Sequence, residues 1–307
     1  MENKNRRNKK NVIIYLVFVL LLSFNIFIYF EIKSLSREYI NLDKIYEEKK
    51  TFYNQKENET LKIADQIKQI EDLDNNFEEI KKEYFSNIKK LEDEILAGNS
   101  NQKIAYLTFD DGPYYNTYNF LDILDKYNVK ATFFTTSING DNCYDRKSEN
   151  CLLLYKEYLK RGHTIANHTF THGIRRGLYN STETFMTAVK NQEERVKAQT
   201  GYVTNIVRFP GGSVTAGKLK NEIIEELRKN NYGWVDWTAQ DGDGGSLETK
   251  EQAWNIFTSS INENIEVILF HDYNNITLSI LPDAIEYLQN NGYILLPLFY
   301  ESNMVNK

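Results

Sequence analysis

The chain is poor in cysteine and histidine, and its acidic residues outnumber its basic ones. Its 307 residues include two cysteines and four histidines, and the net charge is −6 with a pI near 5.5. A negative chain is a poor partner for nucleic acid, so we expect none. The cysteines, Cys143 and Cys151, are not spaced for a metal site with the histidines. They share one predicted loop, where they either form a bridge worth about 2–3 kcal/mol or remain free thiols.

Polar residues are nearly absent from Val12 to Phe30, where only Ser23 and Asn25 interrupt an apolar run. The run is about as long as a helix that crosses a bilayer. Basic residues precede it, which predicts a cytoplasmic tail over residues 1–11 and an extracellular C-terminal part. A cleaved signal peptide is the alternative, but no Ala-x-Ala-like site follows the run. We therefore predict a single-pass protein of the cell membrane, with residues 12–30 as an uncleaved transmembrane anchor.

Glycine and proline are absent from Ile32 to Leu96, a segment rich in lysine and glutamate. Its apolar residues recur at steps of mostly three and four, which is typical of an amphipathic helix or a coiled coil. The sequence predicts a helical stalk over residues 31–97, which either self-associates or packs as a single helix on its own domain. If helical throughout, it would reach roughly 100 Å. Residues 98–102 are the predicted linker to the next domain.

Short β-rich segments alternate with helical ones over the predicted domain, residues 103–300. The predicted strands are Ile104–Phe109, Ala131–Thr136, Thr164–Asn167, Asn205–Phe209, Gly233–Ala239, Glu266–Phe270 and Tyr293–Leu298. The predicted helices are Asn116–Tyr127, Cys151–Arg161, Glu183–Thr200, Gly217–Asn230, Lys250–Asn262 and Ile280–Asn290. Such alternation predicts an α/β fold with a parallel sheet, either open or closed into a barrel.

Polar clusters follow five of these strands at their carboxyl ends. They are Asp110 and Asp111, His168 and His172, Arg208-Phe209-Pro210-Gly211-Gly212, Asp241-Gly242-Asp243, and His271-Asp272. In a barrel of parallel strands the carboxyl ends share one face, so we expect the five clusters to converge on one site.

The first two clusters supply the chemistry of a metal site. One carboxylate and two imidazoles suit one divalent metal, and the second carboxylate remains free to act on a water molecule. Adjacent carboxylates would point to opposite faces of a strand. The turn at Gly112-Pro113 ends the strand, which lets Asp110 and Asp111 face one site. The alternative is that Asp110 and Asp111 belong to an ordinary polar turn and that the two histidines lie on the surface without a metal.

From about Lys103 to Phe299 the chain resembles the polysaccharide deacetylases with a NodB-homology domain, also called carbohydrate esterase family 4. Thr108-to-Pro113 resembles the first motif of that family, His168-x-x-x-His172 the second, Arg208-x-Pro210 the third and Leu269-x-His271 the fifth. Motifs in this order are specific, whereas one alone is weak. The resemblance implies a distorted (β/α) barrel that removes N-acetyl groups from amino sugars with a divalent metal.

The resemblance also implies roles for the polar residues at the strand ends. Asp111, His168 and His172 would bind the metal, with zinc favoured over cobalt, manganese or nickel. Asp110 would be the general base, and Arg208 would pair with it and fix its orientation.

A second group of implied roles concerns the acetyl group and the leaving amine. His271 would be the general acid, although it could instead be a structural histidine. The Gly211 backbone N–H would donate to the oxyanion, and Leu269 would line the wall near the acetyl methyl. An aromatic residue is common at the position of Gly211, so glycine there predicts a wider groove.

The fourth motif of the family, Asp-x-x-Asp-Trp, is not present as such. Asp236-Trp237 has the dipeptide but lies inside a predicted strand, whereas Asp243 lies past the end of that strand, with Gly244 in place of the tryptophan. A strand-end position is better placed to orient His271, so the sequence favours Asp243 over Asp236.

The expected function is deacetylation of a cell-surface polysaccharide, with N-acetylglucosamine of peptidoglycan favoured. The alternatives are N-acetylmuramic acid, poly-N-acetylglucosamine or O-acetyl esters as substrates, and an inactive barrel that acts as a binding or scaffold protein.

Overall fold

The computed structural model describes residues 81–137 and 148–307, and for residues 148–152 it describes the backbone alone. Contacts group Lys89–Lys307 into one compact unit. The predicted tail (1–11), the predicted anchor (12–30), most of the predicted stalk and the side chains of both cysteines lie outside the described residues. Within the described part, no helix has the length and apolar character needed to cross a membrane.

One sheet of parallel strands organises the described part of the chain. Its strands are β1 (Lys103–Asp110), β2 (Thr132–Thr135), β3 (Thr164–Asn167), β4 (Ile206–Val207), β5 (Gly233–Trp234), β6 (Ala239–Gln240), β7 (Ile265–His271) and β8 (Tyr293–Leu296). β1 is central: it pairs with β7 along one side, and with β2 and β8 along the other.

The two ends of the sheet are brought together by the chain itself. β5 and β6 stand at opposite ends of the strand order β5-β4-β3-β2-β1-β7-β6, yet only residues 235–238 separate them. Five residue steps span at most about 18 Å, whereas six strand spacings of a flat sheet span about 29 Å. No strand pairing joins β5 to β6 among the described residues. The sheet is therefore a curled half-barrel, an open form of the distorted (β/α) barrel.

Helix α1 (residues 81–96) precedes β1. The helices that connect the strands are α2 (Thr117–Lys126), α3 (Ser148–Lys160), α4 (Thr182–Thr200), α5 (Lys220–Lys229), α6 (Lys250–Ser260) and α7 (Asn275–Asn290). Buried residues of α2, α3, α6 and α7 share the main core with β1 and β7. The start of α7 was predicted too late, at Ile280. Asn274 explains the earlier start, because its side chain accepts the backbone N–H groups of Ile276 (2.8 Å) and Thr277 (3.4 Å) and so caps the helix.

Alternation along the strands gives the sheet an apolar face and a polar face. On the apolar side, the rings of Phe109 and Phe270 lie 5.7 Å apart within the main core. Asp110 and His271, each one residue further along, are register partners on β1 and β7. Successive side chains point to opposite faces, so these two lie on the inner side, where Arg208 reaches Asp110.

The predicted fifth strand, Gly233–Ala239, is two short strands with a crossing between them. β5 pairs with β4, and β6 pairs with β7. In the crossing, the buried side chain of Arg208 donates to the carbonyl oxygens of Val235 (3.3 Å) and Asp236 (3.1 Å). Arg208, which is distant in sequence, thus supplies these two carbonyl oxygens with the hydrogen bonds that a neighbouring strand would otherwise supply.

Residues on both sides of the predicted domain, 103–300, also belong to the compact unit. The buried carboxylate of Glu92 on α1 accepts hydrogen bonds from Tyr106 Oη (2.5 Å), Ser302 Oγ (2.5 Å) and the Asn303 backbone N–H (2.7 Å). The end of α1 is thus tied to β1 and to the C-terminal residues.

Candidate active site

Asp111, His168 and His172 bring three ligand-type atoms together beyond the ends of β1 and β3. One such atom from each residue lies within 4.8 Å of the others. Asp111 Oδ1 is 3.6 Å from His168 Nε2 and 3.4 Å from His172 Nε2. Asp110 Oδ2 borders the group, 3.6 Å from His168 Nε2. In the searched, described part of the chain, no other group of histidine, cysteine or acidic side chains has this arrangement.

The donor atoms of this group fit a divalent metal. Asp111 Oδ1 is buried, and no hydrogen bond among the described residues reaches it. An unpaired buried carboxylate oxygen is costly, and a cation between it and two imidazoles would remove that cost. One carboxylate oxygen and two imidazole nitrogens are ligands that zinc prefers.

The ring of His168 is held in the form that a metal needs. Its Nδ1 lies 2.9 Å from the carbonyl oxygen of Arg208. A carbonyl can only accept, so Nδ1 carries the hydrogen and Nε2 keeps its lone pair. Burial lowers the pKa of His168 to about 4, against the opposing effect of Asp110, and the ring is therefore neutral near pH 7.

Left-handed backbone conformations shape the turns that carry these ligands. Three non-glycine residues of these turns have positive φ: Asp111 at 72°, Thr169 at 64° and His172 at 44°. Each costs on the order of 1 kcal/mol or more. Two hydrogen bonds hold the second turn, from Thr169 N to Asn167 Oδ1 (2.9 Å) and from His172 N to Thr169 Oγ1 (3.3 Å). The chain reverses direction in this turn, so the imidazole of His172 can approach the same point as the imidazole of His168.

Arg208 is fully buried and holds Asp110. Its Nη1 lies 2.8 Å from Asp110 Oδ1 and 2.7 Å from Thr108 Oγ1. Thr108 can accept because its own hydroxyl donates to a backbone carbonyl of β7 at 2.6 Å. The guanidinium also lies 4.1 Å from the centre of the Phe134 ring. Breaking a buried, hydrogen-bonded ion pair is costly, so the Asp110 carboxylate is fixed in one orientation.

His271 lies across from Asp110 and is held by Asp243. Its Nδ1 is 2.6 Å from Asp243 Oδ1, and its backbone N–H donates to Asp243 Oδ2 at 2.6 Å. Burial lowers the pKa of His271, but the hydrogen bond and charge of Asp243, with Asp111 and Asp110, raise it to about 9. The ring therefore carries a proton near neutral pH, with Nε2 as the nitrogen left for a substrate.

Of the two aspartates considered for the fourth motif, the structure places Asp243 beside His271. The carboxylate of Asp236 instead accepts the backbone N–H (2.9 Å) and the hydroxyl (2.6 Å) of Ser213. Gly244 packs on the imidazole: a Cβ there would lie 3.1 Å from His271 Cε1. A larger side chain at Gly244 would press on the ring unless the loop moved.

Gly211 lies in a tight turn after β4, with φ of 73°. No hydrogen bond among the described residues uses its amide N–H. A Cβ there would lie 3.0 Å from Thr215 Oγ1 and 3.1 Å from Ile174 Cδ1. Thr215 and Ile174 thus border the space that glycine was expected to open. Leu269 is nearly fully buried on β7, two residues before His271 and on the same face.

Asp272 was not assigned a role from the sequence, although it follows His271 at a strand end. It is fully buried beneath Gly112, where a Cβ would meet its carboxylate at 2.6 and 2.9 Å. Thr117 Oγ1 donates to its Oδ2 at 2.5 Å. Burial, with a contribution from Asp111, raises the pKa of Asp272 to about 7.

Two tyrosines beside the site were also missed. Tyr114 and Tyr273 pack edge to face, with ring centres 5.1 Å apart, and Tyr273 lies 5.3 Å from the His271 ring. Nothing in the sequence signals this contact, because it joins loops from two separate strands.

Known proteins similar to this chain carry the same kind of domain. The family model for polysaccharide deacetylase matches residues 97–232. A putative polysaccharide deacetylase of Bacillus subtilis, YheN, is 32% identical over 212 residues, which cover 64% of this chain and 67% of that protein. A bifunctional xylanase/deacetylase of Pseudobutyrivibrio xylanivorans is 32% identical over 199 residues, but these cover 63% of this chain and only 29% of that protein.

A solved structure agrees with the sequence matches. The catalytic domain of peptidoglycan N-acetylglucosamine deacetylase from Eubacterium rectale has a TM-score of 0.61 and 34% identity, and the match covers 68% of this chain and 94% of that domain. With the family model, the YheN match and the parallel half-barrel in agreement, this chain belongs to the polysaccharide deacetylase family, hydrolases that act on N-acetyl amide bonds.

Proposed function

We propose that the chain is a metal-dependent deacetylase that removes N-acetyl groups from the amino sugars of a cell-surface polysaccharide. The observation that carries this proposal is the grouping of Asp111, His168 and His172 within 4.8 Å, with Asp110 beside them. His271 is the register partner of Asp110 across the same strand ends.

Asp111, His168 and His172 would hold the metal, for which zinc is favoured over cobalt, manganese or nickel. When bound, a divalent cation supplies a Lewis acid that polarises the acetamide carbonyl and makes water easier to deprotonate. The residues are prepared for this, because the Nδ1–H of His168 is already engaged by the Arg208 carbonyl.

Asp110 would take a proton from the attacking water. Its Oδ1 is engaged by Arg208 at 2.8 Å, while its Oδ2 lies 3.6 Å from His168 Nε2. Oδ2 is therefore the oxygen that faces the ligand group and is available for the proton.

Gly211 would stabilise the charge that develops when water adds to the acetamide. As the new C–O bond forms, the electron pair of the carbonyl moves to its oxygen. The Gly211 N–H, which no described group accepts, would donate to that oxygen. Leu269 would face the acetyl methyl.

His271 would complete the reaction by protonating the leaving nitrogen. The C–N bond breaks with its electron pair on nitrogen, and the proton comes from Nε2 of the His271 imidazolium, whose Nδ1–H is held by Asp243 at 2.6 Å. One water is consumed, and the products are acetate and the free amino sugar. The pKa of about 9 keeps His271 protonated near neutral pH before the reaction.

The substrate that we propose is N-acetylglucosamine of peptidoglycan. The similar Eubacterium rectale domain is named for this substrate. That sugar has a free 3-hydroxyl next to its acetamide, whereas N-acetylmuramic acid carries a lactyl ether on the same oxygen, which would crowd the site formed by Asp111, His168 and His172. The predicted anchor at residues 12–30 and the predicted stalk would hold the domain outside the membrane, within reach of the wall.

Acetate release from purified peptidoglycan by the full-length protein tests this proposal. We expect release that stops with a chelator and returns with added zinc, and fragments of the wall that have lost acetyl groups on glucosamine. Loss only on muramic acid would reverse the sugar assignment. Activity on poly-N-acetylglucosamine or O-acetyl esters alone would move the substrate. No release from any of them would favour the scaffold alternative.

A further inference from the structure

Asp241 is a buried carboxylate that no step of the proposed reaction uses. It lies at the end of β6 and is fully buried, as is Thr277 in the first turn of α7. Thr277 Oγ1 lies 2.7 Å from Asp241 Oδ2 and 2.8 Å from Asp243 Oδ2. One hydroxyl therefore joins two buried carboxyl groups.

Counting hydrogens shows that one of these carboxyl groups holds a proton. A threonine hydroxyl has one hydrogen, so it can donate fully to one carboxylate oxygen and can accept from another group. Two short contacts to ionised oxygens would leave one of them facing an oxygen lone pair in a buried site, which is costly. The contacts are both favourable only if one carboxyl group is neutral and donates to Thr277.

The proton belongs on Asp241, because Asp243 is better supplied with donors. Oδ1 and Oδ2 of Asp243 accept from Nδ1 and the backbone N–H of His271, each at 2.6 Å. Asp241 accepts one backbone N–H, from Asp243 to its Oδ1 at 3.1 Å. Hydrogen bonds to the charged form favour ionisation, so Asp243 is the ionised partner.

We infer that Asp241 is a neutral positioning residue, whose carboxyl O–H donates to Thr277 while the Thr277 hydroxyl donates to Asp243 and fixes it against His271. This inference rests on the proposed function, because it assigns the relay to the general acid of that reaction. The relay (Asp241, Thr277, Asp243 and His271) leaves one negative charge for the imidazolium and prevents Asp243 from rotating away.

The surroundings agree with a neutral Asp241. Besides Asp243, the ionisable groups that act on this corner are His271 and Tyr273 at the end of β7. Asp110 and Asp111 act on His271 from the end of β1. From α6 and its preceding loop, the neighbours of Gly242 are the apolar Ile256 and Leu247. Burial, with the charge of Asp243, raises the pKa of Asp241 to about 8.

Paired substitutions in the full-length protein test the relay by rescue. Asp241→Ala should lower kcat by about tenfold with little change in KM, the scale of one lost hydrogen bond to a charged group. Asp241→Asn should recover most of the loss, because its NH₂ can donate to Thr277 as the neutral acid does. Thr277→Val should repeat the defect and Thr277→Ser should rescue it. Thr258→Val, which removes a helix-surface hydroxyl bonded to Trp254 O, is the matched control.

Two measurements that need no substrate keep this test separate from the proposed function. The infrared difference between wild type and Asp241→Asn near pH 6 should contain the carbonyl stretch of a protonated carboxyl group, which should vanish above about pH 9. The chain has four histidines, so NMR can follow the His271 titration, assigned by its loss in His271→Ala. We expect Asp241→Ala and Thr277→Val to lower the pKa of His271.

A missing carboxyl band would overturn the inference, because it would mean that Asp241 is ionised. An equal defect in Asp241→Asn and Asp241→Ala would overturn it too, since charge and not hydrogen-bond donation would then matter. If the protein released no acetate from any polymer while the band and the His271 shifts appeared, the proposed function would fail and the relay would stand.

Discussion

The metal side of the site and its acid side differ in how completely their polar atoms are paired. On the metal side, Asp111 Oδ1 is buried without a hydrogen bond among the described residues, and three non-glycine residues have positive φ. On the acid side, both oxygens of Asp243 accept short hydrogen bonds from His271. An unpaired oxygen in a strained turn is suited to a cation that comes from outside, whereas a fully paired carboxylate is suited to holding a proton in place.

The largest effect should come from removing a metal ligand or the base. His172→Ala should lose both bound metal and all measurable turnover, since only two ligands would remain. Asp110→Asn should keep the metal and lose about 10²–10⁴-fold in kcat, because it removes the proton acceptor alone. Elemental analysis with acetate release checks both. Equal metal loss in the two variants would mean that Asp110 is the metal ligand and Asp111 the base, which would contradict the proposed assignment.

Removing the general acid should have a large effect that depends on the leaving group. His271→Ala should retain metal and lower the rate of amide hydrolysis by about 10²–10⁴-fold. Ester substrates should lose less, because an alkoxide leaves more readily than an amine anion. The measurement is the ratio of ester hydrolysis to amide hydrolysis, compared between the variant and wild type. A small and equal loss on both substrates would leave His271 with a structural role only.

A smaller effect should separate the two aspartates of the fourth motif. The pKa of His271 is raised to about 9, so the acid is protonated below that pH and lost above it. Asp243→Asn should lower this pKa by about 1–3 pH units and move the alkaline limb of kcat to lower pH. Asp236→Asn, which alters the Ser213 contacts and leaves the contact between Asp243 and His271 intact, should leave the limb in place. The opposite pattern in the two pH profiles would show that Asp236, and not Asp243, orients His271.

The smallest effect on activity should come from Glu92, a buried carboxylate that belongs to neither the metal side nor the acid side of the site. Glu92→Ala removes the acceptor of three hydrogen bonds and should cost on the order of 3 kcal/mol in the free energy of unfolding. The kcat of the folded protein should not change. Glu94→Ala, at an exposed ion pair with Lys90 of 4.0 Å, should cost little. A large loss of kcat in folded Glu92→Ala would show that this buried carboxylate is coupled to the active site.

Local patterns in the sequence were enough for the elements and for the order of the polar clusters. Six helices and the parallel strands follow from periodicity, and the placement of Asp110 and His271 at strand ends follows from strand length. The fifth strand was predicted as one segment because periodicity cannot show a pairing partner. Its interruption depends on Arg208, whose guanidinium satisfies the carbonyls of Val235 and Asp236.

Contacts between distant segments could not be predicted in the same way. Thr277 has no sequence signal as part of the acid side, because its hydroxyl reaches Asp241 and Asp243 only when the start of α7 packs on the loop after β6. Glu92 lies in a charged segment that was predicted as stalk, yet it is buried against β1 and the C-terminal residues. The predicted anchor, stalk association and domain bounds stay predictions.

The sequence by itself determined which chemistry the chain carries: an Asp-Asp pair, two histidines four residues apart and a histidine after a buried strand are recognisable because side-chain type and local spacing are written along the chain. The tertiary structure decided which atoms meet. The curled sheet brings Arg208 against Asp110, places Asp243 and not Asp236 beside His271 and buries Asp241 against Thr277. The physical reason is that hydrogen bonding and burial depend on distances between segments far apart in sequence, and those distances exist only after the chain has folded.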